Sequence, residues 1–173
     1  MRNIKCTIVA VLCLPLFGGC YEPLDLNTSE TWTDESSGLT WQRRGNGDGS
    51  NGIDNAQAFC EGLTLDGYDD WRLPTVDELL ALVDGCTATQ ACTVDLETCV
   101  SQNCSSVCDD GSGPGVDGCY WPDELLGWCG YYLTTTECGS SPSPWWVDFM
   151  TGTVSVSGGG TYYNFWRCVR GGD

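Results

Sequence analysis

Cysteines and carboxylates are the abundant candidates here for redox or metal-binding chemistry. The sequence holds 13 cysteines and 24 acidic residues but no histidine. Without histidine, the base of a nucleophile–base pair would have to be a carboxylate, and no Gly-x-Ser-x-Gly elbow exists to present a serine. The cysteines do not fall into paired Cys-x-x-Cys knuckles, so a zinc cluster is disfavoured. Ca²⁺ is the ion that carboxylates would take, and two stretches offer them. Asn46-Gly47-Asp48-Gly49-Ser50-Asn51-Gly52 places Asp48 in a Gly/Asn loop, while Asp109, Asp110 and Asp117 lie in a second glycine-rich segment. In the first, the glycine and glutamate spacing of an EF-type loop is missed; the second has no stronger calcium signature. Both are expected to be solvated turns, with calcium binding as the sharper alternative.

Aromatic side chains supply the other candidate chemistry. Trp145 and Trp146 are adjacent in a strand-like run, so they must face opposite sides. Val147 and Phe149 share a face with Trp145, which assigns Trp145 to the core and leaves Trp146 and Asp148 pointing outward. Tyr162 and Tyr163, after Gly158-Gly159-Gly160, could complete a stacking surface for a sugar or aromatic ligand. Trp71 is expected in the core, and Arg72 is expected to join an acidic residue that fixes the next turn.

The N-terminus sets the compartment. Arg2 and Lys5 precede an apolar run from Cys6 to Phe17, shorter than the roughly 20 residues a spanning helix needs. Residues 1–19 therefore read as a signal peptide. Leu16-Phe17-Gly18-Gly19-Cys20 is similar to a bacterial lipobox, which implies a lipid on Cys20 and membrane lipid as a partner. Tyr21 is not Asp, which by the same likeness implies an outer-membrane lipoprotein facing periplasm or exterior. Removing Cys6, Cys13 and Cys20 leaves ten cysteines, and an even number in an exported chain reads as a disulfide framework. Removing Arg2 and Lys5 leaves five arginines against 24 acidic residues, a net charge of −19. Such a field repels nucleic acid and sulfated polysaccharide.

The elements that must position these groups follow from periodicity and turn residues. Residues 20–31 read as the lipidated cysteine and a tether, and residues 32–173 as one domain. Leu39 to Gln42 alternate as a strand. Asp54 is a candidate cap for a helix with Ala56, Phe59, Cys60 and Leu63 on its inner face. Pro74, then Thr75 and Glu78, predict a capping box and a second helix over about Val76 to Val83. Cys86 to Cys138 shows little periodicity and reads as a long crosslinked loop region. Trp145 to Phe149 and Thr153 to Val156 form a hairpin around Met150-Thr151-Gly152, and Phe165 to Val169 supplies a last strand. The pattern is α+β, two helices on a small twisted, mostly antiparallel sheet.

Several segments together resemble a known family. They are Ser37-Gly38-Leu39-Thr40-Trp41-Gln42, Ala58-Phe59-Cys60, Gly67-Tyr68-Asp69-Asp70-Trp71-Arg72-Leu73-Pro74-Thr75 with Glu78-Leu79, Trp146-Val147-Asp148-Phe149 and Arg167-Cys168-Val169-Arg170. The chain resembles the Lcl C-terminal domain family over most of residues 32–170. That resemblance implies a C-type-lectin-like fold, related to that of formylglycine-generating enzymes. It also implies a disulfide between Cys60 on the first helix and Cys168 on the final strand. The other eight cysteines, Cys86 to Cys138, could pair in about 105 ways. Family members are associated with adhesion and glycan binding. No Glu-Pro-Asn, Gln-Pro-Asp or Trp-Asn-Asp sugar-selecting triplet is present. The expectation is a cell-surface recognition module for a glycan or a surface protein, without catalysis. The alternatives are a purely structural envelope lipoprotein and a non-catalytic relative of the formylglycine-generating oxidases.

Overall fold

The computed structural model describes residues 29–47, 52–87, 89, 92–102, 108, 111–139, 141–156 and 164–172. Two short helices form where turn chemistry dictates. Helix α1 spans Ile53–Glu61, begins at Gly52 and ends at Gly62. Asp54 does not cap it but sits in its first turn, where a carboxylate meets the positive end of the helix dipole. Its buried residues are Ala56 and Cys60, four apart on one face, whereas Phe59 is turned outward with its edge on Trp166 at 5.7 Å. The inner face is thus narrower than the expected set. Helix α2 spans Val76–Ala81. Thr75 Oγ1 accepts from the Glu78 N–H, and the Glu78 carboxylate accepts from the Thr75 N–H, a complete capping box. Arg72 then donates twice to the same carboxylate, at 2.9 and 2.7 Å. Helices of nine and six residues are too short to persist alone, so packing holds them.

Strands form two main sheets and one small hairpin. Strands β1 (Thr31–Thr33), β2 (Thr40–Gln42) and β9 (Val169–Arg170) make an antiparallel three-stranded sheet in the order β1-β2-β9. Thr31, the last residue of the expected tether, is the first residue of β1. Strands β3 (Thr93–Asp95) and β4 (Val100–Gln102) pair as a hairpin. Strands β5 (Tyr131–Cys138), β6 (Ser141–Asp148), β7 (Thr153–Val156) and β8 (Asn164–Phe165) form a sheet in the order β7-β6-β5-β8. Only the β5–β8 pair is parallel. The run from Cys86 to Cys138 is thus not merely loop, since it contains β3, β4 and β5. The expected last strand is two strands in different sheets, because the chain leaves β5 after Phe165 and joins β2 at Val169.

Alternation along β6 decides what each face of the larger sheet meets. Trp145 and Val147 are buried with Tyr132, Val154 and the α2 residues Val76 and Leu79 in the main core cluster. Leu133 points the other way, into a second cluster with Ala56, Cys60 and Trp71. Helix α1 thereby covers one end of the opposite face, leaving Trp146, Thr153 and Ser155 partly exposed on the rest. Fully burying each large side chain of these clusters contributes about 1.5–3 kcal/mol.

Disulfides join what the short elements cannot hold alone. Cys60 of α1 is bonded to Cys168, with Cα atoms 5.5 Å apart and a sequence separation of 108. The chain-entropy argument assigns a loop of that length about 4–5 kcal/mol. Cys86 pairs with Cys108, Cys99 with Cys138 and Cys119 with Cys129. Cys92 is also disulfide-bonded. The Cys99 link ties the β3–β4 hairpin to the end of β5. Among the described residues no helix is long and apolar enough to cross a membrane.

Candidate functional site

The outward face of the larger sheet ends in an apolar cleft of about 470 Å³. Its lining includes Trp128, Tyr131, Asp148, Met150 and Phe165. Register explains the grouping. Tyr131 lies opposite Asp148 on β6 and opposite Asn164 on β8, so one row across the sheet carries both a ring and a carboxylate. Tyr131 also meets Trp146 edge to face, at 4.6 Å between ring centroids. Phe165 stacks on Tyr132 at 5.7 Å, and its ring passes so close to Gly130 that a Cβ there would lie 2.7 Å from it. Trp128 is the most exposed large apolar side chain among the described residues, with 76% of its surface open. Met150, beyond the end of β6, is 39% exposed.

Asp148 occupies the floor and is only 6% exposed. Its Oδ1 accepts from the Met150 N–H at 3.0 Å and its Oδ2 from Thr151 Oγ1 at 2.7 Å. These bonds build the β6–β7 turn, a common use of aspartate, and they fix the carboxylate in place. Each oxygen keeps acceptor capacity beyond those two bonds.

Behind the cleft a buried polar assembly positions its wall. Tyr132, fully buried in β5, donates its hydroxyl to the Trp128 carbonyl at 3.1 Å. Burial pushes the Tyr132 phenol above its ordinary pKa, so at neutral pH the group remains a donor. Arg167, also buried, donates to the carbonyls of Gln42 at 2.7 Å, of Leu126 at 2.9 Å, and of Arg43. Its guanidinium lies 4.8 Å from the Trp121 ring centroid and 5.6 Å from that of Tyr132. Burial pulls its pKa down, yet a guanidinium stays charged in proteins. No carboxylate pairs with it among the described residues; backbone dipoles and aromatic faces compensate the charge instead. The Cys119–Cys129 bond closes the base of the segment that carries Trp128.

The residues singled out from sequence fall in different places. Asp148 lines the cleft, buried rather than projecting, and Trp146 is half-buried beside Tyr131. Tyr162, Tyr163, Asp48, Asp109, Asp110, the leader and Cys20 lie outside the described residues. Asp117 is exposed, in a short 3₁₀ turn with φ of 60°. Among the described residues no three metal-ligating side chains come together. Trp128, Tyr131, Met150 and Phe165 were not anticipated as site residues. The signal that could have found Trp128 is its setting, a tryptophan between Gly127 and Cys129-Gly130 inside a crosslinked, non-periodic run.

These features define a disulfide-stapled α+β domain with an aromatic cleft at one sheet end. Residues 30–170 match the Lcl C-terminal domain family, and the chain belongs to that family. No curated protein and no solved structure matches it significantly.

Proposed function

We propose that this chain is a cell-surface recognition protein with a lectin-like domain, and that the cleft beneath Trp128 is its ligand site. The observation that carries this reading is the exposed Trp128 ring in the lining of a mainly apolar, aromatic-rich cleft. An exposed ring is the platform on which the C–H face of a sugar stacks, and burying it on binding removes apolar surface from water. Tyr131 and Phe165 offer further ring surface, and Asp148 offers acceptors for sugar hydroxyls. Recognition is favoured over catalysis by the absence of histidine and by the bonding of every described cysteine into a disulfide. An oxidase of the formylglycine-generating kind needs free thiols.

Presentation outside the cell rests on the leader and Cys20. The Cys20→Ser variant is expected to leave the membrane fraction; unchanged fractionation would remove the anchor from this reading. Glycan-array binding by the folded protein, compared with Trp128→Ala, tests the site. Loss of one such aromatic contact is expected to weaken binding about tenfold. Binding that ignores Trp128 would move the site elsewhere. No binding to any glycan or surface protein would leave a structural envelope role.

A further inference from the structure

The chemistry of the cleft is more selective than its shape. Three ring-bearing residues, Trp128, Tyr131 and Phe165, and the Met150 thioether supply its apolar lining, and Asp148 places one fixed carboxylate on the floor. No basic side chain lines it among the described residues, and the chain carries a net charge of −17. An anionic ligand would meet both the Asp148 carboxylate and the field of the whole protein. A neutral ligand gains stacking and, where it carries hydroxyls, hydrogen bonds to the carboxylate. An organic cation gains from the negative faces of the rings and from the carboxylate together, and both attractions strengthen as water leaves.

Desolvation narrows the class further. A bare ammonium is a compact, strongly hydrated charge and is costly to bring into an apolar cleft. Alkyl substitution spreads that charge over an apolar surface that suits ring faces, the pattern by which aromatic cages take quaternary ammonium groups. The cleft, at about 470 Å³, is large enough to hold such a head group together with part of the molecule that bears it.

We propose that the cleft selects ligands presenting a substituted ammonium group, with a choline-like head group over the rings and against Asp148. This rests on the reading of the cleft as the ligand site, and the experiment separates the two. Isothermal titration of the disulfide-intact protein would compare choline with 3,3-dimethyl-1-butanol, its uncharged isostere, and with glucose. Choline is expected to bind at least tenfold more tightly than the isostere. Trp128→Ala should weaken choline at least fivefold without lowering the melting temperature, because the ring is exposed. Asp148→Asn should reduce the preference for choline over the isostere while the asparagine oxygen still accepts from Met150. If that variant fails to fold, the choline-to-isostere ratio of the unaltered protein and the Trp128→Ala result decide alone. Equal binding of choline and its isostere, or no binding of choline, overturns the selection for cations. Retained binding of sugars that depends on Trp128 would then leave the ligand site standing.

Discussion

The hydroxyl of Tyr132, a fully buried residue, donates to the carbonyl of Trp128, the most exposed large apolar side chain described, across 3.1 Å. The core therefore reaches the surface through one hydrogen bond at the mouth of the cleft. Tyr132→Phe keeps the ring and its packing but frees that carbonyl. We expect a stability loss of about 1 kcal/mol and weaker binding of any ligand that stacks on Trp128. Urea denaturation and calorimetry of the same variant check both.

The bond pattern at Glu78 makes a pH prediction. Burial raises its pKa, but the Arg72 fork and the Thr75 N–H outweigh burial and hold the carboxyl below its ordinary value. A lowered folded-state pKa means stability that is fully present above the unfolded value and lost as pH falls through the folded one. Glu78→Gln retains an acceptor for the cap but not the ion pair. It should cost about 1 kcal/mol near neutrality, a figure kept small because Arg72 is partly exposed. The gap between the two melting curves should hold from neutrality down to the ordinary glutamate value of about 4.3 and close as the pH falls below it. A gap independent of pH would mean that the pair contributes nothing.

Arg167 is the least replaceable charge described. Replacing it with methionine removes a charged donor from the carbonyls of Gln42, Arg43 and Leu126, although the Arg43 and Leu126 carbonyls still accept from the Leu126 and Gly45 N–H groups. Hydrogen bonds from a charged donor contribute about 1.5–3 kcal/mol each, so their joint loss is a large part of the stability of an ordinary domain. Arg167→Met is expected to fail to fold or to unfold at far lower urea. Arg167→Lys, with a point charge in place of a fork, should fall between it and the unaltered protein.

Gly130 is a steric prediction. A Cβ there meets the Phe165 ring at 2.7 and 2.9 Å, so Gly130→Ala must push that ring. Phe165 stacks on Tyr132 on one side and lines the cleft on the other. The variant should lose about 1–3 kcal/mol from overpacking and change the cleft's affinity, whereas Gly67→Ala, with open space around it but φ of 82°, should show backbone strain alone.

Local chemistry was legible in the sequence; long-range pairing was not. Thr75 and Glu78 announce their capping box because its partners are three residues apart. Trp145, Val147 and Asp148 show their faces because β6 has one fully buried side there. Strand β5 hid for the opposite reason. Tyr132, Leu133 and Thr134 are all buried, since both faces of the sheet are covered at that point, and the alternation that marks a strand disappears. The last strand reads as continuous in the sequence because nothing local tells Phe165 to pair with β5 and Val169 with β2. Asp148, singled out beside Trp146, lines the cleft. Trp128 gives no such sign, since Asp148, Met150 and Phe165, which line the same cleft, are distant in sequence and brought there by the fold.

The bond between Cys60 and Cys168 also changes what it means to cut this protein. Any single backbone cleavage between those two residues leaves both pieces in one covalent molecule, with the β1-β2-β9 sheet still assembled from both. A protease that nicks an exposed turn such as the one before β5 would release nothing. The damage would surface only under reduction, as two bands where the oxidised sample shows one. The folded domain can thus outlast the integrity of its own chain.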